Sequence, residues 1–127
     1  MVVVVMALLC GLNLVCDIRD RCMLTLLAQH LILDRAAGLN EPYGLALNAD
    51  STALYTFSDD AKAVFKLDFK GRQSVSKSSF IGVDDLEGIA ITSDGRSSLL
   101  VQEGVNAILL VDLDSRLEMS RRPFVGM

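Results

Sequence analysis

Gly82-Val83-Asp84-Asp85-Leu86-Glu87-Gly88-Ile89-Ala90-Ile91 has a counterpart 44 residues earlier, Gly38-Leu39-Asn40-Glu41-Pro42-Tyr43-Gly44-Leu45-Ala46-Leu47 (Gly38 to Gly82). Carried along the chain, the same spacing pairs Asp50 with Asp94, Ala63 with Ala107 and Asp68 with Asp112. It also sets Phe80-Ile81-Gly82 against Phe124-Val125-Gly126, so a third unit is opening at the last residues. The sequence is a repeat, and everything else is read from that.

Each unit divides into four β-prone stretches. In the first unit they are 44–47, 54–57, 64–67 and 73–80; in the second they are 88–91, 99–102, 108–111 and 117–124. The connections Asn48-Ala49-Asp50-Ser51, Thr92-Ser93-Asp94-Gly95 and Lys70-Gly71 are rich in residues that bond their own backbone or tolerate positive φ. Leu45-Ala46-Leu47 and Ile89-Ala90-Ile91 do not alternate, which predicts innermost strands buried on both faces. A period of about 40–45 residues filled with short strands is the signature of propeller blades. The expected fold is therefore all-β: a partial β-propeller of about two four-stranded antiparallel blades, units 38–81 and 82–125, within a propeller region 34–127.

A closed propeller typically takes four to eight blades of about 40–50 residues, and 127 residues do not reach it. The chain reads as a gene fragment, a truncated gene model, or a piece that assembles with more of itself. An isolated pair leaves two apolar blade faces wet, so self-association through those faces is expected.

Residues 1–33 form an apolar segment preceding the blades. Its first 16 residues are broken only by Gly11 and Asn13, too short for a spanning helix of about 20. As an export signal they lack a basic start, since no Lys or Arg precedes Arg19. With such a signal the protein is periplasmic or membrane-anchored; otherwise it is cytoplasmic. Met23, Leu27 and Leu31 share a helical face, whereas projecting the repeat backwards lays 28–37 on 72–81 as an outer strand. The reading taken is a helix ending near Gln29, then an extended segment. Cys10, Cys16 and Cys22 lack metal-site spacing and read as buried free thiols.

The net charge of −4 argues against nucleic acid as partner, because phosphate binding needs a basic patch. There is no Gly-x-Ser-x-Gly elbow, His-Glu-x-x-His helix or Gly-rich phosphate loop. The single His30 lies outside the repeats, so no Ser-His-Asp triad can be assembled there.

Carboxylates are the chemistry the sequence does offer. In a meander, links between blades emerge at the same end as the hairpins between second and third strands. That end collects Glu41, Asp84, Asp85 and Glu87 from the links, with Asp59, Asp60 and Glu103 from the hairpins. Hard cations such as Ca²⁺ gather six to eight oxygens from such groups. Asp85 and Glu87, Glu41 at the repeat position of Asp85, and Glu103 are the candidate metal ligands, with an unidentified ligand or protein as the partner. Asp50, Asp68, Asp94, Asp112 and Asp114 fall at the opposite end and read as turn residues.

Glu41-Pro42-Tyr43-Gly44-Leu45-Ala46, Leu54-Tyr55-Thr56-Phe57-Ser58-Asp59-Asp60, Val64-Phe65-Lys66-Leu67-Asp68 and Asp84-Asp85-Leu86-Glu87-Gly88-Ile89-Ala90 resemble the opening blades of the SdiA-regulated protein family. More distantly, they are similar to NHL-type and esterase-like phytase propellers. The resemblance covers about residues 38 to 114. It implies a bacterial β-propeller, often six-bladed and usually exported or anchored, with no settled activity. Its acidic link motif falls on Asp85 and Glu87, and its acid at the end of the second strand on Glu103. A non-catalytic binding module, with Ca²⁺ on the acidic face, is the expected function. A metal-dependent hydrolase of lactonase or phosphoesterase type, acting through metal-bound water, and a non-functional fragment are the alternatives.

Overall fold

The computed structural model describes residues 15–16, 22–23, 28–73, 78–79 and 83–124. Two four-stranded antiparallel sheets follow one another along the chain. The first holds β3 (Pro42–Leu47), β4 (Leu54–Ser58), β5 (Ala63–Leu67) and β6 (Ser78–Ser79), in that spatial order. The second holds β7 (Leu86–Ile91), β8 (Ser97–Gln102), β9 (Ala107–Asp112) and β10 (Glu118–Pro123) as a second meander. The fold is all-β, with the copied stretches as the copied strands.

The turn chemistry repeats with them. Asn48 Oδ1 accepts from the backbone N–H groups of Thr52 and Ala53, both at 2.8 Å. Thr92, its counterpart, accepts from Ser97 N at 3.0 Å. Ser51 and Gly95 sit at φ 57° and 71°, and Lys62 and Asn106 at 46° and 49°. Asp50, Asp68, Asp94 and Asp112 each accept hydrogen bonds from groups of their own turns. Those bonds favour the charged form and hold all four carboxyls below their ordinary range. The turn assignment for these residues holds.

Alternation along β4 and β5 divides the core in two. Phe57 and Val64 point toward the second sheet and pack with Val83, Leu86, Leu100, Ala107, Leu109 and Val111. Leu54, Ala63, Phe65 and Leu67 point the other way and are covered by Ile32 and Leu39. Burial at about 25 cal/mol per Å² of apolar surface makes these two clusters the main favourable term of the fold. Ser98 is a local exception. It occupies the repeat position of Leu54, is fully buried, and its hydroxyl finds no hydrogen-bond partner. An orphaned buried hydroxyl costs about 1–3 kcal/mol.

Two expectations are corrected. The helix through residues 22–23 is replaced by a strand pair, β1 (Val15–Cys16) with β2 (Cys22–Met23), whose register sets Cys16 opposite Cys22. Residues 28–33 form neither helix nor strand, and the helix among the described residues is the 3₁₀ turn Arg35–Ala37. Ile32 points inward at 1% exposure and Leu31 outward at 56%, so a period of two wins over the helical face. Ile32 then seats beside Gly71, where a Cβ would meet its side chain at 3.1 Å. The apolar run 1–14, with the export reading and Cys10, lies outside the described residues.

The second correction concerns the innermost strands. In β3, Gly44, Leu45 and Leu47 are exposed, and in β7, Glu87 and Ala90 are. Each is the terminal strand of its sheet, with no strand paired beyond it among the described residues. No helix among the described residues is long and apolar enough to cross a membrane.

Candidate functional site

The link into β7 is held against both hairpins by four contacts. Leu86 N donates to Asp59 Oδ1 at 3.2 Å, and Glu103 N donates to the Asp85 carbonyl at 2.9 Å. Gln102 Nε2 donates to the Asp84 carbonyl at 2.9 Å, and the Lys62 ammonium pairs with the Asp84 carboxylate. Asp85 also lies over Gly104, where an added Cβ would come within 2.6 Å of its Oδ2. Asp59, Asp60, Asp84, Asp85 and Glu103 are therefore gathered at one end of the sheet pair.

Asp59 carries the electrostatic mark of that gathering. Partial burial raises its carboxyl above the ordinary range, and the neighbouring charges of Asp85, Asp84 and Asp60 push the same way, against the bond from Leu86 N. Glu41 and Glu87 belong to a second group around Tyr43, whose hydroxyl reaches Glu41 Oε2 at 3.4 Å. The Tyr43 hydroxyl is pushed above its ordinary value, first by the charge of Glu41, with Asp59 and Glu87 adding to it. Asp59 thus neighbours both groups.

The four candidate ligands are not equivalent. Asp85 takes a left-handed backbone at φ 55°, which carries the link into the core at Leu86. Glu41, at the same repeat position, is outside that region, because the ring of Pro42 restricts the residue before it to extended conformations. Glu103 meets Asp85 through its backbone N–H, while Glu41 and Glu87 flank Tyr43. Among the described residues, no three His, Cys, Asp or Glu side chains converge as a metal site requires.

Sequence reasoning passed over Lys62, Tyr43 and Gln102. Lys62 holds the left-handed place of a hairpin that Asn106 holds in the other copy, so the turn position was legible. Its ion pair with Asp84, across the two sheets, was not. Gln102 is buried and joins the Asp84 carbonyl to Arg121, whose Nη1 donates to Gln102 Oε1 at 2.9 Å.

Removing the Asp59 charge tests this geometry. A raised carboxyl favours the protonated form in the fold, so its contribution to stability is complete below the unfolded pKa and is lost as pH rises through the folded one. Asp59→Asn keeps an acceptor for Leu86 N and should raise the melting temperature at neutral pH but leave it unchanged near about pH 3. Asp59→Ala removes both the acceptor and the charge, and should cost about 1 kcal/mol near about pH 3 and less at neutral pH. Thermal melts of both variants at the two pH values check the pair.

The chain matches no known family model and no curated protein. Solved structures do match. Hydrazine synthase from Kuenenia stuttgartiensis aligns with TM-score 0.54 at 18% identity, over 81% of this chain and 26% of that one. The nidogen/laminin complex aligns with TM-score 0.59 at 17% identity, over 76% and 34%. A streptogramin B lyase aligns with TM-score 0.50 at 19% identity, over 67% and 27%. The chain thus spans between 26% and 34% of these three solved chains. At such identities the likeness carries architecture alone: the two sheets form a section of a β-propeller.

Proposed function

We propose that the chain supplies blades of a propeller binding module of the SdiA-regulated type, and that its acidic end receives a cationic ligand. In this reading residues 34–127 are the propeller part, with units 38–81 and 82–125, and 1–33 precede it. The observation that supports it is the gathering of Asp84, Asp85 and Asp60 around Asp59, whose carboxyl is raised first by partial burial and further by those charges. A fold that gathers like charges at one end bears a repulsion that a bound cation relieves.

Ca²⁺ fits this end in the type of its donors and only in part in their number. Carboxylate and carbonyl oxygens are the ligands Ca²⁺ prefers. The Asp84 and Asp85 carbonyls, however, already accept hydrogen bonds, and the Asp84 carboxylate is paired with Lys62. Asp85 beside Glu103, and Glu87 beside Glu41, would each offer an ion only a partial shell, and affinity falls in the weak range of about 10⁻⁴–10⁻³ M.

Thermal melting with increasing CaCl₂, against NaCl at matched ionic strength, tests the reading. At tenfold excess over Kd the expected stabilisation is about 1.4 kcal/mol. The double variant Asp85→Asn with Glu87→Gln should lose it. Equal melting curves in CaCl₂ and NaCl at millimolar concentrations would remove calcium from the proposal.

A further inference from the structure

The β1–β2 pair carries chemistry that neither the blades nor the acidic end uses. Its register sets Cys16 opposite Cys22, next to Val15 opposite Met23. An interval of six residues does not make a disulfide framework, but an antiparallel ladder adds what spacing lacks. Directly opposed residues stand on one face of the ladder, with Cα atoms about 4.5 or 5.5 Å apart according to whether the pair is hydrogen-bonded. Both separations fall within the roughly 4.4–6.8 Å that a disulfide spans. A register shifted by one residue would place the two cysteines on opposite faces. The connection, Asp17-Ile18-Arg19-Asp20-Arg21, holds no cysteine to compete with them.

We propose that Cys16 and Cys22 form a reversible disulfide that closes the β1–β2 pair. A two-stranded ladder is marginal in water, and this one has two residues on each side. A covalent link across it removes conformations from the open chain.

The step is thiol–disulfide exchange with a low-molecular-weight disulfide such as oxidised glutathione. One cysteine thiolate attacks a sulfur of the reagent and expels a thiolate, leaving a mixed disulfide. The second cysteine thiolate attacks the protein sulfur of that intermediate and expels the other half of the reagent. Two protein thiols give up two electrons and two protons, and one reagent disulfide becomes two thiols. The pair is bridged in an oxidising compartment and open in a strongly reducing one. Cation binding at the acidic end plays no part in it.

Equilibrating the full chain in glutathione buffers of increasing oxidised fraction, then alkylating and digesting it with trypsin, tests the proposal. Arg19 and Arg21 lie inside the closed loop, so the bridge should join residues 1–19 to residues 22–35. Free thiols should fall from three to one per chain. Fragmentation of the joined peptide should place the link at Cys16. Cys10→Ser should keep the bridge in the same buffer, and Cys16→Ser should lose it. In concentrated urea the wild type should need a glutathione ratio at least about tenfold more oxidising to bridge to the same extent. A link through Cys10 overturns the proposal, as does a Cys16→Ser yield equal to that of the wild type. So does a wild type that bridges no more readily folded than in urea.

Discussion

Phe57→Ala should cost about 3–5 kcal/mol, the range for emptying a fully buried aromatic position. Total stabilities of small domains run about 5–15 kcal/mol, so a large share of the folded population is at stake. The size of the effect comes from where the ring sits. Phe57 is fully buried between the two sheets, stacked on Tyr43 with centroids 6.1 Å apart and planes at 19°. It belongs to the cluster that joins β4 and β5 to β8 and β9, so truncation loosens one sheet from the other as well as opening a cavity. Urea unfolding monitored by far-UV circular dichroism should show the midpoint falling. A drop in the slope would show that the sheets no longer unfold as one unit.

Gly44→Ala should cost about 2–4 kcal/mol, whereas Gly88→Ala, at the same repeat position, should stay within about 1 kcal/mol of the wild type. Gly44 sits at φ 58°, where a side chain is strained, and a Cβ there would meet Phe57 Cε1 and Ile89 Cγ2, each at 3.1 Å. The register of β3 on β4 is broken at this point, between Tyr43 and Ala46. Thr56 Oγ1 fixes the irregularity by reaching the carbonyls of Gly44 at 2.8 Å and Tyr43 at 3.0 Å. Gly88 has no left-handed backbone, and a Cβ on it would rest 3.5 Å from Val101 Cγ2, an ordinary contact. Matched urea midpoints for the two variants decide it. Equal losses would mean that the bulge of β3 does not depend on glycine.

The strand plan was legible because its causes are local. Val64, Phe65 and Leu67 are β-prone and bounded by turn residues, and β5 spans Ala63–Leu67. The crowding of acids was legible for a related reason: a meander sends alternate connections to the same end, so the hairpin at Asp59 and the link at Asp85 had to meet. Glu41 stands at the repeat position of Asp85, and Pro42 beside it already sets its backbone apart. The helix expected to end near Gln29 gives way at Cys22–Met23, which pair as a strand, whereas the extended segment expected after it fits Ile32, buried between the exposed Leu31 and Leu33.

Spacing and residue type alone determined that this chain is a twofold repeat of four short strands with Asp-centred turns, since each of those features depends on neighbours within a few residues. Only the tertiary structure decided that Gly44 and Gly88 differ, that Lys62 pairs with Asp84, and that Tyr55, Phe57 and Val64 pack against the second sheet. Those outcomes depend on which sheet lies against which. Stacking contacts join residues more than 20 positions apart, such as Lys62 and Asp84, and no local pattern of residues records them.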